Sequence, residues 1–134
     1  MSRRDSREKA VLFIFESLFK EESIEEIIEN SENEGEKIDP FIKEMFNGVH
    51  ENKEEIDSLI EKHLKNWDKS RVSKLALSIL RECIYEMLFR KDIPENVSIN
   101  ESVELAKKYG SEQESSFVNG ILGSISKELS SNNE

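Results

Sequence analysis

The sequence predicts a single all-α domain with about seven helices. Long stretches of the 134-residue chain repeat apolar side chains at helical spacing, and only two prolines interrupt them. No stretch shows the alternation of apolar and polar residues that is typical of a half-buried strand. A chain of this length buries roughly two-thirds of its unfolded surface, so it can form a core without disulfides or metals.

The first two helices are predicted from apolar spacing and from a capping motif. Val11, Phe15 and Leu18 lie at positions i, i+4 and i+7 of a helix over about residues 4–19. A capping box that starts at Ser23 opens the second helix, and polar, acidic residues follow it. That acidic stretch is typical of a surface loop.

The third helix is predicted to start at Pro40, because Asp39 before it can cap the helix and proline suits the first helical position. It continues to about Asn52. Gly48 lies inside it, and a glycine there indicates close packing against another element. A fourth helix follows over about residues 53–66, with Asn52 as its candidate cap.

The fifth helix, over about residues 70–90, is the most hydrophobic and is predicted to lie at the centre. A capping box at Ser98 is predicted to open the sixth helix, which ends at Gly110. A second capping motif at Ser111 opens the last helix.

The chain end is predicted to separate into an ordered and a disordered part. Apolar spacing in the last helix continues to Leu129, so residues 1–129 are predicted to form the single domain. The polar residues 130–134 are predicted to be a disordered tail.

The charge is distributed unevenly. The net charge is −10, which by itself disfavours nucleic-acid binding. Residues 16–61 carry a net charge of −12, whereas residues 1–15 carry +2 and residues 62–91 carry +5. Because salt screens distant charges, a local basic cluster can still bind phosphate.

Several classes of protein are disfavoured. The single cysteine, Cys83, rules out an internal disulfide and suits a reducing cytoplasm, and its apolar surroundings predict a buried core residue. The two histidines, His50 and His63, lack ligand spacing, so no metal or cofactor site is predicted. The longest apolar run, residues 10–15, is too short to span a membrane. No catalytic constellation is present, and we predict that the chain is not an enzyme.

Two groups of residues have both a structural and a functional interpretation. Arg3, Arg4 and Arg7 form either an ordinary charged terminus or an anion-binding arm at a helix start. Phe15 and Phe117 are core residues by default or stacking platforms for unpaired bases. Two further interpretations are structural, since Trp67 is expected at a helix junction and the basic residues of 62–91 on solvated helix faces.

The last third of the chain resembles the NusB family of bacterial transcription antitermination factors. Residues 99–107 read Ile-Asn-Glu-Ser-Val-Glu-Leu-Ala-Lys, and residues 117–122 read Phe-Val-Asn-Gly-Ile-Leu, which are two hallmarks of that family. Further matches are Ile-Leu-Arg at 79–81 with Tyr-Glu at 85–86, Trp67 before that helix, and the arginines that lead into the first helix.

The resemblance implies an all-helical fold of two small packed sub-bundles and a role in transcription. NusB proteins bind the boxA element of nascent ribosomal RNA and pair with NusE, a small-subunit ribosomal protein. The pair joins NusA, NusG and RNA polymerase. Carried over by position, the resemblance implies six RNA-binding residues: Arg3, Arg4, Arg7, Phe15, Lys107 and Phe117. It implies a partner surface formed by Ala76, Leu77, Arg81 and Glu86.

This chain departs from the family pattern at several positions. Asp5 replaces a common arginine, Ala76 replaces a common acid, Leu77 replaces a basic residue, and Gly123 replaces a common aspartate. Leu77 would suit a homodimer surface. An alternative function is therefore a protein-interaction module that binds NusE or itself with little RNA affinity.

Overall fold

The computed structural model describes residues 2–64 and 72–132. Within these ranges the chain forms seven α-helices and no strand, as the sequence predicts. The helices, in chain order, are α1 (Arg3–Ser17), α2 (Ile24–Asn33), α3 (Pro40–Glu51), α4 (Lys53–Lys62), α5 (Lys74–Phe89), α6 (Glu95–Tyr109) and α7 (Glu112–Asn132). None of these helices is long and apolar enough to cross a membrane. Trp67 lies outside the described residues.

Helix α5 lies at the centre, as predicted. It packs against α1, α3 and α4 and also against α6 and α7, while α1 pairs with α3 and α6 pairs with α7. This gives an N-terminal and a C-terminal group of helices that share α5, in agreement with the two sub-bundles implied by the resemblance. Eleven of the 16 residues of α5 are buried, and Cys83 is among them. Burial raises the pKa of the Cys83 thiol, so the thiol stays protonated and unreactive.

Two details of the N-terminal helices separate correct from incorrect sequence predictions. Gly48 packs directly against α5, because a Cβ built there would lie 2.2 Å from Cε2 of Tyr85. The close packing predicted for this glycine is confirmed. Phe13, which the predicted stripe omits, is buried and stacks on Phe46 with 5.9 Å between ring centroids, whereas Phe15 is only half-buried.

Helix α6 begins one turn earlier than predicted. Pro94 precedes it, and the carbonyl oxygen of Pro94 accepts the N–H of Val97 and of Ser98. Ser98, the predicted cap, lies inside the helix, where its buried hydroxyl donates to Glu86 at 2.9 Å. The capping box at Ser98 is therefore wrong, because a buried carboxylate on α5 uses the hydroxyl instead.

Two other boundaries differ. Asn52 does not cap α4, because its side-chain amide donates to the carbonyl oxygen of Gly48 at 2.8 Å, and α4 ends at Lys62 rather than near residue 66. At the other end, Ser111 accepts the N–H of Glu114 as predicted. Helix α7 continues to Asn132, so it includes three residues of the predicted tail.

Candidate nucleic-acid interface

The three N-terminal arginines lie in the first turns of α1. Ser2 caps this helix by accepting the N–H of Asp5 at 3.1 Å, and the carboxylate of Asp5 accepts the N–H of Ser2 at 3.3 Å. The predicted arm is thus regular helix from Arg3 onwards, where successive side chains point about 100° apart. Arg3 and Arg4 therefore face different sides of α1, and Arg7, one turn further along, points between them.

Arg3 lies against α3. Its guanidinium carbon is 4.2 Å from the ring centroid of Phe41, which is a cation–π contact. The guanidinium groups of Arg7 and Arg90 lie 5.7 Å from the same ring. Arg3 itself remains exposed, so it keeps access to solvent while the ring holds it on the α3 side of α1.

Arg7 is buried and paired with a carboxylate of α5. Its side chain is 2% exposed and forms two hydrogen bonds with the fully buried carboxylate of Glu86, at 2.7 and 2.8 Å. Breaking this pair would leave a buried charge without a partner, which is strongly unfavourable. This placement gives Arg7 a structural role, and a contact between Arg7 and RNA stays a prediction.

Arg4 is the arginine that reaches solvent on the α6 side. Its side chain is 75% exposed and forms three hydrogen bonds with Glu101, at 2.9 to 3.2 Å. One turn along α1, Glu8 accepts a hydrogen bond from Lys108 at 2.6 Å. Hydrogen bonding to Glu8 raises the pKa of Lys108, so this lysine stays charged. Both exposed pairs bridge α1 and α6.

A groove of about 320 Å³ lies between α1 and α6. Its lining is strongly charged and consists of Arg4, Asp5, Arg7, Glu8, Glu101, Glu104, Leu105 and Lys108. Lys107 is also exposed, with its Nζ 3.9 Å from Glu104, but Lys108 is the lysine that lines the groove. Because exposed ion pairs are weakened by water, an RNA phosphate can replace Glu101 or Glu8 as the partner of the cation.

Phe15 and Phe117 lie near the N-terminal end of α5. Phe15 is half-buried and contacts Phe19 edge-to-face, with 5.1 Å between centroids and 65° between ring planes. The Nζ of Lys74, the first residue of α5, lies 4.4 Å from the ring centroid of Phe19. Phe117 is half-buried in a separate groove of about 260 Å³ that Ser73 also lines. The two predicted aromatics therefore flank one end of α5.

The residues predicted to bind a partner protein are mostly buried. Ala76 is buried, and Leu77 is partly buried against the core. Arg81 forms two hydrogen bonds with Asp57, at 2.8 and 2.9 Å, and is 5% exposed. Glu86 is the buried partner of Arg7. Of the four residues, only Leu77 retains some exposure, and the partner surface stays a prediction.

Sequence reasoning missed Glu8, Glu101 and Lys108 as parts of the groove. No local signal reveals the pair of Glu8 and Lys108, because the two residues are 100 positions apart. Phe19 was recoverable, since it lies four positions after Phe15 and such residues share a helix face.

The comparisons with known proteins establish the family. The NusB family model matches residues 4–127. The chain belongs to the NusB family. A transcription antitermination protein NusB from Clostridium botulinum (strain Kyoto / Type A2) is 44% identical, and the match covers 93% of this chain and 99% of the relative.

Two solved structures from the NusB family have the same fold. NusB from T. maritima superposes with a TM-score of 0.83 at 39% identity, covering 96% of this chain and 92% of the other. A crystal structure of antitermination factors NusB and NusE in complex with dsRNA gives a TM-score of 0.82 at 29% identity, covering 93% and 96%. The NusB family thus includes a member crystallised with both an RNA and a partner protein.

Proposed function

We propose that this chain is a non-enzymatic transcription antitermination factor that binds the boxA element of nascent ribosomal RNA together with NusE. One observation carries the proposal. Arg4 and Lys108 are exposed cations on the two walls of one groove, in a chain whose relatives are named transcription antitermination proteins. In this role the protein acts in the cytoplasm, where the nascent transcript is made.

The RNA-facing surface in this proposal comprises the exposed and half-buried members of the predicted set. Arg4 and Arg3 lie at the start of α1, Lys107 lies near the end of α6, and Phe15 and Phe117 flank the start of α5. Cations supply phosphate contacts and aromatic rings supply base contacts, the combination typical of single-strand recognition. Lys108 joins this set, and Arg7 supports it from the core.

The acidic environment of the groove explains why NusE belongs in the proposal. Four carboxylates, of Asp5, Glu8, Glu101 and Glu104, line the groove beside the exposed cations. They weaken the attraction of the groove for phosphate. We therefore expect weak RNA binding by the protein alone and stronger binding with NusE. The family of this chain and the NusB–NusE–dsRNA structure of a relative support this pairing. NusA, NusG and RNA polymerase complete the proposed assembly.

A titration of labelled boxA RNA at several salt concentrations, with and without NusE, tests the proposal. Arg4→Ala should weaken binding and lower the slope of log affinity against log salt by about 0.7, the value for one phosphate contact with a single strand. Lys53→Ala, an exposed lysine at the start of α4, is the matched control and should change neither quantity. An unchanged affinity and slope for Arg4→Ala would remove the groove from the mechanism.

The alternative function, a protein-interaction module with little RNA affinity, is favoured by one observation. Every exposed cation of the α1–α6 groove already has a carboxylate partner, Arg4 with Glu101 and Lys108 with Glu8. A pull-down with NusE, with and without boxA RNA, separates the two functions. Equal recovery of NusE in both conditions, together with no RNA binding by the pair, would favour the module. Self-association through Leu77 stays a prediction that light scattering can check.

A further inference from the structure

The aromatic side chain of Phe19 is largely exposed to solvent. It lies just after the end of α1 and is 60% exposed, which makes it the most exposed large apolar side chain of the described residues. Phenylalanine is normally buried, because covering its ring removes a large apolar surface from water. Because single exposed apolar side chains are common, only the groups around the ring can indicate a ligand.

The ring of Phe19 is held in place from two sides. Phe15 contacts it edge-to-face, and the ammonium of Lys74 lies 4.4 Å from its centroid. The backbone at Lys74 is anchored, since Lys74 is the first residue of α5 and follows Ser73, whose hydroxyl accepts the N–H of Ala76 at 3.0 Å. A ring that is oriented but open is suited to stacking with a planar ligand.

The ammonium of Lys74 favours an RNA strand as that ligand, although other residues near Phe19 are acidic. Lys20 is hydrogen-bonded to Glu16, and the acidic Glu21 and Glu22 follow it. Lys74 has no carboxylate partner among the described residues, and its ammonium lies beside the ring. An aromatic ring next to a cation is the arrangement that binds an unpaired base and its phosphate.

We propose that Phe19 stacks with an unpaired RNA base and that Lys74 contacts an adjacent phosphate, which extends the RNA surface from α1 to the start of α5. The inference rests on the proposed function and deepens it. Arg4 and Phe19 are 15 positions apart, which corresponds to about 22 Å along a helix. The RNA strand therefore follows the length of α1, with Arg4 at one end and Phe19 at the other.

Titrations with boxA RNA and NusE test this proposal, with 2-aminopurine placed at each position of the RNA in turn. Phe19→Leu keeps an apolar side chain but removes the ring, and it should weaken binding about 5- to 30-fold. One 2-aminopurine position should lose its stacking-dependent quenching in this variant. Lys74→Gln should lower the salt slope by about 0.7. Phe89→Leu, at the other end of α5 and also exposed, is the matched control and should bind like the wild type.

The outcomes separate this proposal from the broader one. If Arg4→Ala weakens RNA binding while Phe19→Leu and Lys74→Gln do not, the extension to α5 is overturned and the proposed function stands. If Phe19→Leu lowers the affinity for NusE in the absence of RNA, the ring is a protein contact and the proposal is also overturned. If the wild type with NusE binds no boxA RNA, the proposed function itself fails.

Discussion

Replacing Glu82 by glutamine tests how a buried acid titrates in the centre of this fold. Glu82 lies in α5 and is fully buried, and no N–H or O–H group of the described residues donates to either of its oxygens. Burial, and then the negative charge of Glu86 one turn away, raises the pKa of Glu82 well above its ordinary value. The carboxyl of Glu82 therefore stays protonated, and its O–H can donate a hydrogen bond to the carboxylate of Glu86.

The pKa of Glu86 moves the other way. Burial alone would raise it, but hydrogen bonds from Glu82, Arg7 and Ser98 outweigh burial and hold it below the ordinary value. The ionised Glu86 and the neutral Glu82 thus lie together beside Arg7. Glutamine at position 82 can replace the neutral acid, because its amide also donates a hydrogen bond.

The expected effect is a pH-dependent difference in the free energy of unfolding. In the unfolded chain Glu82 ionises near pH 4.5, whereas in the folded protein it holds its proton to a higher pH. Rising pH therefore favours the unfolded state of the wild type. The free energy of unfolding of the wild type falls by about 1.4 kcal/mol for each pH unit above that value, until the carboxyl of the folded protein ionises. Glu82→Gln has no proton to release and escapes this loss.

Urea unfolding at pH 5, 6 and 7 measures the difference. The stability of Glu82→Gln relative to the wild type should rise by up to about 2.7 kcal/mol between pH 5 and pH 7. Any constant cost of burying the amide cancels in this comparison. Glu29→Gln, at an exposed position of α2, is the control and should show a flat difference. A flat difference for Glu82→Gln as well would show that Glu82 is ionised in the folded protein and would refute the reasoning.

Three further predictions follow from contacts described above. Arg7→Ala should lower the free energy of unfolding by about 3 to 5 kcal/mol, because it leaves a buried carboxylate without its partner; a loss below 1 kcal/mol in urea would contradict this. Gly48→Ala should cost about 1 to 3 kcal/mol in the same assay, since the new methyl group overlaps the ring of Tyr85, and wild-type stability would show that the ring moves freely. Glu101→Gln should raise RNA affinity up to about fivefold by releasing Arg4, and weaker binding would mean that the carboxylate instead positions the arginine.

The helices themselves were largely predictable. Apolar spacing and caps located all seven, because both signals are local and act on residues within one or two turns. Predictions failed where a distant residue competed for a local group. The hydroxyl of Ser98 bonds to Glu86 instead of capping α6, and the amide of Asn52 turns back to Gly48 instead of capping α4.

The candidate site was only partly predictable for the same reason. The arginines were found as a group, and the resemblance added a role for them. Their helical positions alone place Arg3 and Arg4 on different faces of α1, but only packing determines what each face meets. Arg7 meets Glu86 in the core, and Arg4 meets Glu101 on α6, a residue 97 positions away.

By itself the sequence determined the fold class, the order of the helices and the family. Those properties depend on the spacing of apolar residues and on motifs that are continuous in the chain. Only the tertiary structure decided which charges are available to a ligand. Arg7, Arg81 and Glu86 look like surface residues in a sequence, but burial and pairing make them structural. The availability of a charge depends on the partner that folding brings to it, and that partner lies elsewhere in the chain.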